Sequence, residues 1–347
     1  MNKKKILIFM LVILTAVSTK VLAGSQTYTV MKGDTLYRIG KNYGVDWKEI
    51  QRENKIKNVY RLQIGTVLTI PETGLGTNVE KVSSKPSYDS ERIMIQNGDH
   101  QIPAIITIPE GNGPFPAVVM LHGTGSNKDE AGNGYVEMAK TFADHNIASI
   151  RFDFIGNGES QEDYIHYNFK TAKDDCQAVT KYLMDQKKID KKRIGIMGWS
   201  QGGTIALLAA AENNTYRSVL TWAGAIDLAS MNTDENYAIA KEQGYYPLEF
   251  DWRDPLKLGL EWFEDVRNTD LKEELGKIEV PILAIHGSED NVVDPKVGDI
   301  IVKAAGNKNS KKKIIKGADH TFNIFTEDKE KFEKLETLTK DWFEQTL

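Results

Sequence analysis

The chain has 347 residues, of which 40% are hydrophobic and 27% are charged, and its formal net charge is −5 at pH 7. This length exceeds one average domain, and the composition favours a sizeable buried core over disorder. No compositional bias indicates a nucleic-acid partner. The single cysteine, Cys176, excludes an internal disulfide, and its apolar neighbours at helical spacing predict a buried residue.

The first residues have the pattern of a secretory signal peptide. Lys3 to Lys5 precede the apolar run Ile6 to Val17, and Val21 to Ala23 supply small residues before Gly24. The apolar run is too short to cross the hydrocarbon core of a membrane comfortably. We therefore predict that residues 1–23 are a signal peptide, that the protein is secreted, and that no stable membrane insertion remains after cleavage.

Residues 27–71 are predicted to form a compact strand, helix, helix, strand unit. An alternating strand from Tyr28 to Met31 leads to Asp34, which can cap a helix, and Asp46 can cap a second helix. Val67 to Ile70 closes the unit as a second strand.

This segment resembles the LysM module over its whole length. The resemblance rests on Tyr28-Thr29-Val30, Gly33-Asp34-Thr35-Leu36, Ile39, Tyr43-Gly44-Val45, Asn54, Leu62, Ile64-Gly65 and Leu68-Thr69-Ile70-Pro71. It implies binding of an N-acetylglucosamine-containing glycan such as peptidoglycan, in a groove that uses Gly33, Asp34, Thr35, Leu36 and Ile56. The alternative for Leu36 and Ile56 is that both belong to the core of the module.

After this unit, residues 72–87 are rich in Gly, Ser, Thr, Lys and Pro without apolar periodicity, which predicts a flexible linker. From about Tyr88 onward, apolar strand-like runs alternate with longer amphipathic stretches. The runs are Ala117 to Leu121, Ala148 to Phe152, Arg193 to Met197, Ser218 to Trp222, Pro281 to Ile285 and Lys313 to Ile315. This alternation predicts an α/β domain over residues 88–347, with a mostly parallel sheet covered on both faces.

One of these strands, Arg193 to Met197, leads into Gly198-Trp199-Ser200-Gln201-Gly202 and then into an alanine-rich helix. This is the GxSxG pattern in the strand, turn, helix context of a nucleophile elbow. Glycines flank the serine because side chains at those positions would crowd a sharp, strained turn. Ser200 is therefore the predicted nucleophile.

A serine nucleophile needs a base that removes its proton and an acid that orients the base. The sequence His286-Gly287-Ser288-Glu289-Asp290 follows the strand Pro281 to Ile285, and Asp319-His320 follows the next strand. Ser, Asp, His is the chain order found in α/β-hydrolases. The predicted catalytic triad is Ser200, Asp290 and His320, with Glu289, Asp294 and Asp319 as rival acids.

Two backbone N–H groups are predicted to stabilise the oxyanion that forms in the reaction. One belongs to Gln201, which follows the nucleophile, and the other belongs to Thr124, in His122-Gly123-Thr124-Gly125 after a strand. The alternative for the Thr124 segment is a plain glycine turn.

Residues 89–347 resemble an α/β-hydrolase, nearest to bacterial feruloyl/cinnamoyl esterases and to prolyl oligopeptidase-like and serine aminopeptidase-like hydrolases. The resemblance rests on His122-Gly123, Arg151-Phe152-Asp153-Phe154-Ile155-Gly156-Asn157-Gly158-Glu159-Ser160, Gly198-Trp199-Ser200-Gln201-Gly202-Gly203, Gly287-Ser288-Glu289-Asp290 and Asp319-His320. It implies that Asp290, three residues after Gly287, is the acid of the triad. Asn157 departs from the family, in which many relatives have His, but this loop is usually structural.

The segment from about residue 226 to 275 is too long for a plain connection and is predicted to be a cap. Its aromatic residues can line a substrate pocket or form the cap's own core; they are Tyr237, Tyr245, Tyr246, Phe250, Trp252, Trp262 and Phe263.

The leading functional hypothesis is a secreted, cell-wall-associated carboxylesterase that forms an acyl-enzyme on Ser200 and takes a small acyl ester. One alternative is a serine exopeptidase acting on short peptides, because the same triad cleaves amides. Another alternative is a non-catalytic peptidoglycan-binding protein. No metal-ligand spacing such as HExxH occurs in the sequence, so neither a metal nor another cofactor is predicted.

Overall fold

The computed structural model describes residues 26–30, 36–43, 45–56, 62, 65–71, 88–326 and 329–347. The predicted signal peptide, residues 1–23, and the predicted linker, residues 72–87, lie outside these ranges. The chain divides into two units, Met1–Val79 and Glu80–Leu347.

The first unit is a small α+β module. Its elements are β1 (Gln26–Thr29), α1 (Leu36–Tyr43), α2 (Trp47–Glu53) and β2 (Val67–Ile70). β1 and β2 pair in antiparallel fashion. The Asp46 carboxylate caps α2, as the sequence predicts, because it accepts a hydrogen bond from the Lys48 N–H at 2.9 Å. The core of the module contains Val30, Leu36, Ile39, Val45, Ile50, Leu68 and Ile70.

One polar side chain joins the second helix of this module to its sheet. Asn54 directly follows α2, and its Nδ2 donates to the Thr69 carbonyl at 2.7 Å. Its Oδ1 accepts from the Thr69 N–H at 2.7 Å. The Asn54 side chain thus pairs with the Thr69 N–H and carbonyl as a neighbouring strand would, and it holds α2 against β2.

The second unit is built on an eight-stranded sheet with the order β12-β11-β8-β7-β5-β6-β4-β3. Its elements before the cap are β3 (Tyr88–Asn97), β4 (His100–Pro109), β5 (Phe115–Leu121), α3 (Gly134–Asp144), β6 (Ala148–Phe152), α4 (Phe169–Met184), β7 (Ile189–Trp199), α5 (Gln201–Glu212) and β8 (Tyr216–Trp222). The cap and the remaining elements are α6 (Asp234–Gln243), β9 (Tyr245–Leu248), β10 (Leu256–Gly259), α7 (Leu260–Asn268), α8 (Leu271–Gly276), β11 (Ile282–Gly287), α9 (Val297–Ala304), β12 (Lys311–Ile315) and α10 (Glu330–Thr346).

The six strands from β12 to β6 are parallel to their neighbours, whereas β4 and β3 form an antiparallel edge. This arrangement confirms the predicted α/β class with a mostly parallel sheet. The carboxyl ends of β5, β7, β11 and β12 lie at one edge of the sheet, because these strands share one direction. Ligands of open α/β sheets bind at that edge.

Hydrophobic cores cover both faces of the sheet. Along β5, Val119 and Leu121 belong to one core, which includes residues of α4 and α5. Val118 and Met120 point the other way and pack with residues of α3 and α10. Successive side chains of a strand point to opposite faces, so a strand buried on both sides reads as a continuous apolar run.

The segment predicted as a cap, residues 226–275, contains α6, a two-stranded antiparallel sheet of β9 and β10, α7 and most of α8. Trp262 and Phe263 are fully buried and belong to the larger core. Tyr246 and Phe250 are partly buried against the same core. Some aromatic residues of the cap are therefore core residues, whereas Tyr246 and Phe250 remain partly exposed to solvent.

Candidate active site

Ser200 occupies a sharp turn between β7 and α5. Its backbone has φ 52° and ψ −122°, which is unusual for a residue with a side chain. Glycines make the turn possible: a Cβ atom on Gly198 would lie 2.0 Å from the Gly202 carbonyl oxygen, and one on Gly202 would lie 2.2 Å from the Leu121 carbonyl oxygen. The flanking glycines are therefore required by close backbone approach, as the sequence predicts.

Asp290 and His320 are joined by a direct hydrogen bond. Asp290 lies in the turn after β11 and His320 in the turn after β12, with 2.8 Å between Asp290 Oδ2 and His320 Nδ1. The Asp290 side chain is fully buried, and its Oδ1 accepts from the N–H groups of Val292 and Val293 at 2.9 and 2.8 Å. This contact holds the Nδ1 edge of the ring, which leaves Nε2 for proton transfer.

The pKa of Asp290 is lowered from its ordinary value. Burial of the carboxylate acts to raise this pKa, but the hydrogen bond and charge of His320 and the two backbone N–H groups outweigh burial. Asp290 is therefore ionised at neutral pH, and its negative charge can stabilise an imidazolium at His320.

The turn that carries Ser200 also contacts His320 through the preceding residue. Trp199 Nε1 donates to the His320 carbonyl at 3.2 Å, and the Trp199 ring packs near Phe322 with centroids 6.0 Å apart. Within the described ranges, the Ser200 hydroxyl itself makes no hydrogen bond to protein. Catalytic hydrogen bonds are often formed only in the substrate complex, so this geometry is compatible with a Ser200–His320 pair.

The rival acids have other positions. Asp319 Oδ1 accepts from the N–H groups of Thr321 and Asn323, at 2.8 and 2.9 Å, and so stabilises the turn around His320. Asp294 accepts from the N–H of Lys296 at the start of the segment that leads to α9. Glu289 is exposed. Of the four acids, Asp290 has the hydrogen bond to His320.

Thr124 and Gln201, the two predicted oxyanion residues, are brought together in the structure. Thr124 Oγ1 donates to Gln201 Oε1 at 3.0 Å. The Gln201 N–H opens α5, where the first N–H groups of a helix have no partner within the helix. Among the described residues, neither the Thr124 N–H nor the Gln201 N–H donates to a protein acceptor, so both are available to an oxyanion.

Glu130 organises the loop that carries Thr124, and sequence reasoning missed it. Its Oε1 accepts from the Gly123 N–H at 2.5 Å, and its Oε2 accepts from the Ser126 hydroxyl at 2.5 Å and from the Ala131 N–H at 2.7 Å. Its backbone has φ 60° and ψ 179°, a region essentially confined to glycine. A lone glutamate in a loop has no spacing pattern by which the sequence could identify it.

The environment of Glu130 differs from that of Asp290. Burial raises the pKa of the Glu130 carboxyl, while hydrogen bonds from Ser126, Gly123 and Ala131 and the charge of His320 act in the opposite direction. A Cβ atom on Gly123 would lie 3.1 Å from Glu130 Oε1 and 3.3 Å from Ser200 Cβ. The Glu130 carboxyl is thus separated from the nucleophile by one glycine.

A buried ionic cluster supports the same loop from its other side. Lys128 donates from Nζ to Asp153 Oδ2 at 2.8 Å and to Glu159 Oε2 at 3.0 Å, and its N–H donates to Asp153 Oδ1 at 2.6 Å. Asp153 and Glu159 belong to the loop after β6 that includes Asn157, which is also buried. This loop therefore acts through packing and hydrogen bonds, as the sequence predicts for Asn157.

The cap contacts the loop that carries Thr124, and the contact is at Gly125. Arg253 Nη1 donates a hydrogen bond to the Gly125 carbonyl. A Cβ atom on Gly125 would meet Phe250 at 2.9 Å and Leu256 at 3.3 Å. Residues of the cap thus lie directly over the segment next to Thr124.

Two protein-family models match this chain. The model of the prolyl oligopeptidase family matches residues 134–347, which is more than half of the chain. The chain belongs to the prolyl oligopeptidase family. The LysM domain model matches residues 28–71. This member of the prolyl oligopeptidase family therefore combines an α/β-hydrolase fold with an N-terminal LysM domain.

Two curated proteins similar to this prolyl oligopeptidase family member are named as a hydrolase and an esterase. The chain is 29% identical over 195 residues to a 2,6-dihydropseudooxynicotine hydrolase of Paenarthrobacter nicotinovorans, covering 55% of this chain and 48% of that one. It is 26% identical over 259 residues to esterase EstD of Thermotoga maritima, covering 68% of this chain and 60% of that one. The chain thus spans about half to three-fifths of the length of these two relatives.

A solved structure shows the same fold. Est1E from Butyrivibrio proteoclasticus, a structure with ferulic acid bound, superposes with a TM-score of 0.60 at 21% sequence identity. The match covers 73% of this chain and 98% of Est1E. At this identity the match shows a shared fold, which extends over nearly all of Est1E.

In the LysM domain of this prolyl oligopeptidase family member, the predicted glycan-binding residues are only partly described. Gly33, Asp34 and Thr35 lie outside the described residues. Leu36 is 2% exposed and belongs to the module core, and Ile56 is half-buried against that core. Their contact with a glycan stays a prediction.

The described part of the chain has neither a candidate metal cluster nor a candidate membrane-spanning helix. Within it, no group of three or more His, Cys, Asp or Glu side chains is arranged to hold a metal ion. No helix in the same ranges has the length and apolar character needed to span a bilayer.

Proposed function

We propose that this serine hydrolase is a secreted, cell-wall-associated carboxylesterase that forms an acyl-enzyme on Ser200. The observation that carries the proposal is the 2.8 Å hydrogen bond between Asp290 and His320, at the sheet edge where Ser200 occupies its strained turn. The esterase relative and the hydrolase relative support the choice of reaction class.

The reaction begins when Ser200 Oγ attacks the ester carbonyl carbon and His320 Nε2 takes the hydroxyl proton. The ionised Asp290 carboxylate holds Nδ1–H and stabilises the imidazolium. The carbonyl oxygen becomes an oxyanion and accepts hydrogen bonds from the N–H groups of Thr124 and Gln201. The C–O bond to the alcohol then breaks, the alcohol takes the proton from His320, and the acyl group stays on Ser200.

A water molecule completes the cycle. His320 takes a proton from the water as the water oxygen attacks the acyl carbon, and a second oxyanion forms at the same N–H groups. Cleavage of the bond to Ser200 Oγ releases the carboxylic acid, and His320 returns the proton to Ser200.

Turnover of a series of p-nitrophenyl esters of increasing acyl length tests this reaction. Ser200→Ala should lower kcat by at least about 10,000-fold, because it removes the nucleophile. The matched control is Ser230→Ala, since Ser230 is an exposed serine of the cap. Ester turnover that survives Ser200→Ala would contradict the proposal.

Family membership favours a second candidate, a serine exopeptidase acting on short peptides. Such an enzyme would need acidic side chains for the substrate amino terminus; in the cap, Asp234 is engaged by Arg267 at 2.9 Å. Aminoacyl p-nitroanilides test this candidate. Cleavage of the anilides without cleavage of esters would replace the esterase proposal, and failure of a fluorophosphonate probe to label Ser200 would favour the non-catalytic binding protein.

The LysM domain supports association with a glycan such as peptidoglycan. We infer that the chain is exported by residues 1–23 and docks on the wall through residues 27–71, with Gly33, Asp34, Thr35, Leu36 and Ile56 at the glycan. Natural substrates would then be wall-linked esters, such as acetyl groups on glycans or aminoacyl groups on teichoic acid.

Deletion of residues 27–71 separates the two activities. The truncated protein should no longer sediment with purified wall sacculi, while its kcat/KM for a soluble ester should match that of the full chain. Each unit has its own hydrophobic core, which supports independent folding. Loss of both activities together would contradict this division.

A further inference from the structure

Arg253, in the cap, is a half-buried cation that forms no salt bridge with any described residue. Its Nε donates to the Asp254 carbonyl at 3.3 Å and its Nη1 donates to the Gly125 carbonyl. Among the described residues, no carboxylate lies within ion-pair distance of the guanidinium, and Nη2 makes no hydrogen bond. Burial lowers the pKa of Arg253 and outweighs the charge of Asp254, which acts to raise it, so the guanidinium has lost part of its hydration.

Two other buried cations, Lys128 and Arg151, differ from Arg253 because each contacts a carboxylate. Lys128 is paired with Asp153 and Glu159 at 2.8 and 3.0 Å. Arg151 is paired with Asp129 at 2.9 Å. A partly buried charge is costly unless a counter-charge and hydrogen bonds compensate it. The fold supplies contacting carboxylates at Lys128 and Arg151, whereas at Arg253 it supplies the charge of Asp254 without a salt bridge among the described residues.

The position of the Arg253 head group is fixed by its neighbours. Its guanidinium carbon lies 5.8 Å from the Phe250 ring centroid and 6.0 Å from that of Trp252. The carbonyl that accepts a hydrogen bond from Arg253 Nη1 belongs to Gly125. Gly125 follows Thr124, and the Thr124 N–H is a proposed oxyanion donor. The cation is therefore held beside the reaction site by aromatic packing and a backbone contact.

A second unpaired donor lies in the same region. The Tyr164 hydroxyl is buried and has no hydrogen-bond partner among the described residues, although its ring stacks on Tyr167 with centroids 5.0 Å apart. Burial raises the pKa of Tyr164 well above its ordinary value, and the charge of Arg253 acts against that rise. The segment that carries Tyr164 packs against β10, which begins shortly after Arg253, because a Cβ atom on Gly259 would lie 2.1 Å from the Ile165 carbonyl oxygen. A buried hydroxyl without a partner is uncommon.

We propose that Arg253 and the Tyr164 hydroxyl bind a carboxylate on the substrate, so that the preferred substrates are esters with a carboxylate close to the ester bond. The inference rests on the proposed esterase function. Nε and Nη1 each already donate to a carbonyl, and the remaining N–H groups on Nη1 and Nη2 form an edge that suits two carboxylate oxygens. The carboxylate then supplies a counter-charge in direct contact with the guanidinium, which no described residue provides.

Pairs of esters that differ by one carboxylate test the inference. On the acyl side, mono-4-nitrophenyl glutarate is compared with 4-nitrophenyl butyrate; on the alcohol side, 4-acetoxybenzoate is compared with its methyl ester. In one of the two pairs, Arg253→Met should lower the anionic-to-neutral ratio of kcat/KM by at least about tenfold, mainly through KM. The ratio cancels any loss that is common to both members of a pair.

Two further variants make this result specific. Arg253→Lys keeps the charge but loses the fork geometry, so its ratio should fall between those of the unmodified protein and Arg253→Met. Arg217→Met is the matched control, because Arg217 is an exposed arginine that also donates to a backbone carbonyl, that of Lys192. It should leave the ratio unchanged.

Binding without turnover separates this inference from the esterase proposal. Glutarate binding to Ser200→Ala is measured by calorimetry, and addition of Arg253→Met should weaken it by at least about tenfold. If no ester is cleaved but glutarate binding depends on Arg253, the esterase proposal fails and the anion site stands. If neutral esters are cleaved while neither the ratio nor glutarate binding depends on Arg253, the anion site is overturned.

Discussion

Two buried carboxyl groups lie near the proposed catalytic base, and their pKa values are displaced in opposite directions. Asp290 is in the turn after β11, and Glu130 is in the loop after β5. Burial acts to raise both pKa values. At Asp290 the hydrogen bonds and the charge of His320 prevail and lower the pKa, whereas at Glu130 burial prevails and raises it.

The two carboxyl groups differ in the kind of partner rather than in the number of hydrogen bonds. Asp290 contacts the His320 ring, which carries a charge when protonated. Glu130 accepts from neutral donors alone, the Ser126 hydroxyl and two backbone N–H groups. A hydrogen bond with a charged partner is roughly twice as strong as a neutral one. Contact with the base thus suits Asp290 to orient and stabilise His320, whereas Glu130 is suited to hold a loop.

Among the variants that test this comparison, Asp290→Asn has the largest expected effect. This change keeps the shape of the side chain but removes the negative charge and can stabilise the wrong tautomer of His320. We expect kcat for the best p-nitrophenyl ester to fall by about 1,000- to 10,000-fold. The control is Asp294→Asn, a nearby acid that accepts from the Lys296 N–H and should retain nearly full kcat. Equal losses in both variants would contradict the assignment of Asp290.

A smaller effect is expected from Glu130→Gln, which tests the other half of the comparison. An amide cannot accept from Gly123 at one end and from Ser126 and Ala131 at the other, so one donor loses its partner. The Thr124 N–H should then be misplaced, and kcat should fall by about 10- to 100-fold with little change in KM.

Two companion variants separate positioning from loss of fold. Ser126→Ala removes one of the donors to Glu130 and should lower kcat less than Glu130→Gln does, with a stability loss of about 1 kcal/mol. Glu264→Gln, at an exposed glutamate of α7, should change neither kcat nor stability. Should KM rise while kcat is kept in Glu130→Gln, Glu130 does not position the oxyanion donors.

Much of the fold could be predicted because local patterns carry it. The strand predicted over residues 148–152 is the one observed, and those predicted at 117–121, 193–197 and 218–222 extend by a few residues. Strands buried on both faces appear as continuous apolar runs, so their positions need no knowledge of their neighbours. The edge hairpin of β3 and β4 was not predicted, since it has no such continuous apolar run across both strands.

The candidate site could be predicted only where a residue type has a fixed place relative to a strand end. Ser200, Asp290 and His320 follow β7, β11 and β12, so topology alone brings them to one edge of the sheet. Glu130 and Arg253 depend on how a loop and the cap fold over that edge. Their partners, Gly123 and Gly125, are glycines whose roles appear only in three dimensions.

The smallest expected effect extends the comparison to a third carboxyl group, far from the reaction. Glu336 of α10 is half-buried, and the Thr141 hydroxyl of α3 is its hydrogen-bond donor at 3.2 Å. Burial, with the charges of Glu137 and Glu333, raises its pKa from 4.5 to about 7.

The consequence of this raised pKa is a loss of stability as pH rises. At a pH below 4.5, the ordinary pKa of a glutamate, Glu336 is neutral in both the folded and the unfolded chain. Between that pH and about pH 7, Glu336 loses its proton in the unfolded chain but keeps it in the folded chain, so folding becomes less favourable as pH rises. Glu336→Gln should therefore raise the free energy of unfolding by on the order of 1 kcal/mol at pH 8, after allowance for solvent screening, and by much less at pH 5. Denaturant titrations at both pH values measure this, and Glu333→Gln should give a smaller rise because it removes one of the neighbouring charges. A gain of the same size at both pH values would show that packing at Thr141, rather than charge, limits stability there.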